Sequence, residues 1–360
     1  MDAHAMKIDI ILPPLQDELL ILSSQELNFA LQKHGVEARL LKPNYKNPGE
    51  LIDSIIANKS DYTLSFNGLL PDYKGRFLAD MIKIPHIAYL LDFPIPFISL
   101  VNSPLTRIVV SDPDSLAFLQ GLNGKHLFLL EPSAPLLEEN REKKRKFLAW
   151  ASSLTPKTWL DKLSKKYPQG VVNTLKRAAI LNIENTQISF YEALARSVRP
   201  EELDPSRIDF IALLDDLEKY THALLWDRFL EAFPEKVDVF ADPFYDNELP
   251  SKFKDKHNFL ETIDYSKWLN EVRTSEYSLQ ITPVLKKSGS NQFFAALSAG
   301  AVPIINPTPY NETWNIIPFD YAYPQFNELH DHSALAEKNR TRFKTHDLWL
   351  NRAKSLLDKL

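Results

Sequence analysis

Short apolar runs rich in β-branched residues recur through the first third of the chain, each followed by a stretch with helical spacing. Residues 7–12, 37–41, 61–66, 86–91, 107–110 and 127–130 predict six strands. Between them, Ser23, Ser24, Gln25 and Glu26 read as a capping box ahead of a helix that ends at Gly35. Residues 48–58 place Leu51, Ile52, Ile55 and Ile56 on one helical face, residues 80–84 close a third helix, and another begins near Pro113. Parallel strands need crossover helices, so this alternation predicts a doubly wound parallel sheet.

The strand pattern stops near Leu136. The mixed-charge run 138–146 reads as a solvated helix face, and 155–181, 184–198 and 209–233 have helical periodicity. Strand patterns return at 237–241, 259–263, 277–283 and 302–305, with a helix at 265–273. The expected fold class is α/β: two Rossmann-like units joined by a helical connector. The expected domains are 1–135, a connector 136–234, a second sheet domain 235–330 and a helical tail 331–360. In such sheets ligands bind beyond the carboxyl ends of the strands.

One turn carries more chemistry than the rest. Lys286, Lys287, Ser288, Gly289 and Ser290 separate a strand from a small-residue helix that Gly300 closes. Exposed backbone N–H groups and the positive end of the helix dipole make such a turn a phosphate site, with the lysines as added charges. An ordinary strand–helix connection with a solvated lysine pair fits the same residues, and both readings stay open on the local sequence.

Composition narrows the function classes. The chain has 360 residues and a net charge of −5, which argues against a general nucleic-acid partner. It has no cysteine, which excludes disulfides and thiolate chemistry and fits a reducing, cytoplasmic compartment. The N-terminal residues lack the layout of a signal peptide, and no apolar run is long enough for an integral membrane segment. No Gly-rich dinucleotide or P-loop pattern, zinc-binding histidine pair or nucleophile elbow occurs.

Several segments resemble a known family. Residues 61–67 (DYTLSFN) and 86–94 (HIAYLLDFP) are similar to the amino-terminal domain of CgeB-type spore-maturation proteins, and 109–119 (VVSDPDSLAFL) fits the strand–helix step that follows. Residues 277–306 look like that family's glycosyltransferase group-1 type domain. The resemblance implies a GT-B architecture, with a nucleoside diphosphate sugar held mainly by the second domain and moved, without a metal or other cofactor, to an acceptor it does not identify. The chain departs from the family pattern at Gln292 and Ala295, where an Arg and an acidic residue are expected. That acidic residue commonly holds the donor ribose. Asn291, Gln292 or Glu312 is a candidate replacement, and a catalytically silent binding or scaffold module is the alternative.

The donor-side candidates are therefore Lys286, Lys287, Ser288, Gly289, Ser290, Asn291, Gln292, Tyr310 and Glu312. Asp92 closes the fourth strand and is the candidate base for the acceptor hydroxyl; a turn-capping role ahead of Pro94 is its structural alternative. Asn67 and Gly68, at the end of the third strand, and Asp17 and Glu18, after the first, are acceptor-side candidates, or turn and loop residues. Trp268, Phe293, Phe294, Tyr310, Trp314, Phe319, Tyr321 and Tyr323 crowd the C-terminal half. Of these, Tyr310 is placed to stack on a base or sugar.

Overall fold

The computed structural model describes residues 5–13, 17–44, 46–138, 140, 142–151, 159–199, 201, 209–241, 248–320 and 332–360. Tyr321 and Tyr323 lie outside the described residues. The chain divides into two compact units, 1–136 with 342–360, and 137–341.

In the first unit, β1 (Lys7–Ile11), β2 (Glu37–Leu41), β3 (Tyr62–Phe66), β4 (His86–Tyr89), β5 (Thr106–Val110) and β6 (Leu127–Leu129) alternate with α1 (Glu18–Lys33), α2 (Gly49–Asn58), α3 (Leu78–Ile82) and α4 (Pro113–Gly121). The strands form one parallel sheet in the order β2-β1-β3-β4-β5-β6. The order reverses between β1 and β3. Ile8, Ile10, Leu64, Tyr89 and Val109 are buried on one face, and Ala88, Leu90, Ile108 and Val110 belong to a second cluster.

The second unit begins with β7 (Lys144–Ala151) and the helices α5 (Trp159–Lys166), α6 (Gln169–Glu184), α7 (Phe190–Ser197) and α8 (Phe210–Ala232). Then come β8 (Val237–Ala241), α9 (Glu248–Phe253), β9 (Asn258–Glu261), α10 (Tyr265–Arg273), β10 (Ser275–Gln280), α11 (Asn291–Ala299), β11 (Val302–Ile305) and β12 (Ile317–Pro318). The sheet is again parallel, in the order β12-β11-β10-β7-β8-β9. This is the dinucleotide-fold order, and it reverses between β7 and β10. The last helices are α12 (Ser333–His346) and α13 (Trp349–Leu357).

Three expectations are corrected. The segment 136–234 is not all helix, because β7 lies at the centre of the second sheet. Its basic start disguised it: Lys146 pairs with Asp238 on β8 at 3.2 Å and with Glu271 on α10 at 2.7 Å. The terminal segment is helical but not a separate tail. Trp349 of α13 packs against Phe66 and Tyr89 at ring distances of 5.6 and 6.1 Å, inside the core of the first unit. Ser23 and Ser24 are not a cap either. The helix starts a turn and a half earlier, where the Asp17 carboxylate accepts from the Leu20 amide, and the Ser24 hydroxyl donates to the Leu20 carbonyl within the helix. Among the described residues no helix is long and apolar enough to cross a membrane.

His86 gives the first sheet a pH dependence. It is buried on β4 with Thr63 Oγ1 at 2.9 Å from Nδ1 and Ser65 Oγ at 3.0 Å from Nε2. Burial lowers its pKa to about 3. The unfolded chain, with an ordinary pKa near ~6.5, then binds the extra proton first as pH falls. Stability is fully present above ~6.5 and declines toward pH 3, at up to ~1.4 kcal/mol per pH unit. We expect His86→Gln to flatten that part of a denaturation-midpoint profile. Parallel acid losses in the two proteins would show that His86 is not the titrating group.

Candidate functional site

At the reversal point of the second sheet, the chain leaves β10 and runs through residues 281–290 into α11. Ser290 caps that helix, its Oγ accepting from the Phe293 amide at 3.1 Å. Gly289 is required by close approach: a Cβ there would stand 2.8 Å from Phe293 Cδ1 and 2.9 Å from Phe294 Cε2. Apart from half-buried Gln292, α11 is buried along its whole length.

The two ends of α11 are treated differently. At the C-terminus, Lys143 Nζ donates to the Ala299 carbonyl at 2.8 Å and Arg340 Nε to the Ser298 carbonyl at 3.1 Å, while Gly300 closes the helix at φ +69°. Two cations thus meet the negative end of the dipole. At the N-terminus, Ser288 Oγ and Asn291 Oδ1 are buried without a hydrogen-bond partner. Leaving such an atom unpaired costs roughly 1–3 kcal/mol.

The two lysines of the turn diverge. Lys287 is exposed. Lys286 is only 5% exposed, and its ammonium donates to the carbonyls of Asn182 at 2.6 Å and Asn185 at 2.8 Å, at the C-terminal end of α6. It therefore anchors the turn to a helix terminus, which is not the role of a solvated point charge. Lys286 also lines a small, mainly apolar pocket beyond β10 and β11, where Thr282, Asn306, Thr308 and Asn311 supply the polar groups beside Leu225 and Ile305. Asn311 shapes its floor, accepting from the Thr308 amide at 2.7 Å and donating to the Asn306 carbonyl at 2.7 Å. Tyr310 packs its ring 6.3 Å from that of Phe293, and Glu312 is exposed in the helical turn beside it.

In the first unit the candidates gather at the carboxyl edge of the sheet. Asn67 follows β3 in a left-handed conformation, φ +58°. Its side-chain oxygen accepts from the Leu91 amide at 3.0 Å, and its Nδ2 donates to Asp92 Oδ2 at 2.6 Å. One carboxamide thus ties the end of β3 to the end of β4 and orients the Asp92 carboxylate. The 3-10 turn that begins at Ile95 has no side-chain cap, so Asp92 does not cap it. Asp92 is exposed at its surface, but the protein atoms surrounding its carboxylate shift its pKa upward; the Asn67 hydrogen bond opposes this and the Asp17 charge adds to it. Asp17 itself caps α1, and Glu18 opens that helix. The ends of β1, β3 and β4 therefore bring Asp17, Asn67 and Asp92 to the point where the strand order reverses.

The positions of the two reversal points were not read from the sequence, since the second depends on β7. The orphaned Ser288 and Asn291 atoms also had no sequence signal beyond the turn that contains them.

No family model matches the chain, and no curated protein matches it in sequence. Solved structures do match. AviGT4, a glycosyltransferase involved in avilamycin A biosynthesis, aligns at 11% identity over 98% of this chain and 96% of its own, with a TM-score of 0.54. An alpha-glucosyltransferase in complex with UDP and a 13-mer DNA aligns at 13% identity over 98% of this chain and 93% of its own, with a TM-score of 0.50. The likeness is one of fold: two Rossmann-like α/β units of the GT-B type.

Three substitutions test the local geometry. Removing the ammonium in Lys286→Met strands two buried carbonyls and should destabilise the second unit by ~1–3 kcal/mol, more than Lys287→Ala at an exposed position in the same denaturation experiment. Gly68 sits at φ +70°, where a Cβ would stand 2.7 Å from Leu100 Cδ1. Gly68→Ala should lower the unfolding midpoint by an amount equivalent to ~1–3 kcal/mol; an unchanged midpoint would contradict the packing described.

Proposed function

We propose that this chain is a glycosyltransferase of the CgeB type that moves a sugar from a nucleoside diphosphate sugar to an acceptor hydroxyl. The observation that carries this reading is the asymmetry of α11. Its C-terminus is neutralised by two cations, while its N-terminus, at the reversal point of a sheet with dinucleotide-fold order, keeps two buried polar atoms unpaired. A diphosphate there meets the first-turn N–H groups and the positive end of the dipole. Ser288 Oγ can donate to a phosphate oxygen, and Asn291 Oδ1 can accept from a ligand hydroxyl. Fold likeness to an alpha-glucosyltransferase solved with UDP supports this reading.

In this reading Asp92 is the acceptor-side base. As an acceptor hydroxyl attacks a sugar, its proton would pass to the Asp92 carboxylate. Backbone amides at α11 and the Lys287 charge then offset the leaving group, without a metal. Asn67 is a positioning residue, because it holds the carboxylate by a hydrogen bond.

One observation favours a second reading, a binding module without turnover. Ala295, where the resemblance expects an acid, is fully buried. Nucleotide binding without hydrolysis or transfer would select that reading.

A thermal-shift panel of UDP, GDP, dTDP and CMP should identify a stabilising nucleotide, because a ligand of the native state raises its stability. Ser288→Ala with Asn291→Ala should weaken that nucleotide at least ~tenfold, the loss of about 1.4 kcal/mol. Asp92→Asn should preserve binding and reduce transfer by ~10²–10⁴-fold. Stabilisation by no member of the panel, or unchanged affinity in the double variant, would defeat the donor-site assignment.

A further inference from the structure

The loop that carries the chain from Asn67 to α3 presents large apolar side chains to solvent on an immobilised frame. Tyr73 is 90% exposed, more than any other large hydrophobic residue among those described, and Leu70 is 54% exposed. The loop is nonetheless tightly held. The Asp72 carboxylate accepts from the amides of Lys74 at 2.8 Å and Arg76 at 3.0 Å, and from the Arg76 guanidinium at 2.9 and 2.7 Å. Backbone bonds from the Asp72 amide to the Arg76 carbonyl and from the Gly75 amide to the Asp72 carbonyl close the turn. Gly75 takes φ +74°, and buried Phe77 anchors the far end. The Arg76 hydrogen bonds and the two amides hold Asp72 ionised down to about pH 2.

An exposed aromatic on a fixed turn loses little conformational freedom when it binds. The chemistry around it indicates what it binds. Lys74 Nζ lies above the Tyr73 ring, 5.4 Å from its centroid. The carboxylate of the turn is consumed by internal bonds, so the tip shows solvent an aromatic, a leucine and an unmatched ammonium. That combination stands out in a chain of net charge −5. A tyrosine body with a polar tip, an aliphatic neighbour and a flanking cation suit the boundary between headgroups and acyl chains.

We propose that residues 69–76 dock the protein on an anionic lipid surface, with Tyr73 and Leu70 at the headgroup–acyl boundary and Lys74 against lipid phosphate. The loop leaves the same Asn67 that orients Asp92, so docking would place the carboxyl edge of the first sheet beside the membrane. The docking itself does not depend on the transferase reading.

The test is co-sedimentation of the full chain with vesicles of phosphatidylcholine containing about 30% phosphatidylglycerol. Wild type should partition to these vesicles, and the Leu70→Ser, Tyr73→Ser double variant should lose at least ~tenfold in partitioning, with its unfolding midpoint unchanged. Lys74→Glu, or about 0.5 M salt, should also weaken partitioning. Leu260→Ser, at an exposed leucine of the second unit, should leave it unaltered. Wild type remaining in the supernatant, equal partitioning of the double variant, or an equal loss in the Leu260 control would overturn the proposal. So would a Tyr73 dependence seen only with soluble oligosaccharides, which would make the loop a carbohydrate contact.

Discussion

The parallel pairing of β7 with β10 is the constraint on which the second unit depends. It joins a strand that begins the unit to one that arrives more than a hundred residues later, and it fixes where the strand order turns round. Parallel strands put every strand-to-helix turn at one edge, so this pairing places the turn before α11 at the reversal point. Phe147 and Tyr277 stack across it at 4.9 Å with an interplanar angle of 10°, and Phe233 of the segment after α8 closes on Phe147. The packing that stabilises the sheet therefore also positions the helix terminus where an anion would be met.

The first unit solves the same problem with a side chain. Asn67 accepts a left-handed backbone, which asparagine tolerates better than most residues, and bonds across to the end of β4. Gly68 follows, packed so closely on Leu100 and Ala88 that a methyl group would not fit. The same amide that bridges the two strand ends holds the exposed Asp92 carboxylate and opposes the upward shift from its surroundings and from Asp17.

Much of this was legible in the sequence, and the losses have identifiable causes. Strands 237–241 and 302–305 are found where their β-branched runs predict them, because most of their side chains are buried and the apolar pattern is nearly continuous. β7 escaped because its first residues are Lys144, Arg145 and Lys146, a charged start that reads as a solvated face; of these, Lys146 is answered by Asp238 on β8 and Glu271 on α10. The start of α1 escaped because Asp17 competes as a cap with the more conspicuous Ser23 and Ser24. At the site, the sequence located the turn before α11 but did not separate its two lysines. Lys286 is buried against the carbonyls of α6, a contact that spans about a hundred residues of chain, while Lys287 is exposed.

Ala295 is where the site departs furthest from the family it resembles, and its surroundings show that the departure involves more than one side chain. It lies on α11 next to Phe293 and Phe294, and all three are fully buried. A carboxylate at that fully buried position would have to be desolvated, at a cost of several kcal/mol without a partner. The packing has thus closed over the place where an acid would sit. Asn291, one turn earlier at the helix start, offers a neutral oxygen in its stead. A neutral acceptor can hold a hydroxyl without adding negative charge near the helix terminus. The positive potential of α11, left intact at that end by the two cations at the other, then remains available for a diphosphate. On this argument the missing acid and the compensated C-terminus belong to one electrostatic arrangement, and loss of the carboxylate does not by itself imply loss of anion binding.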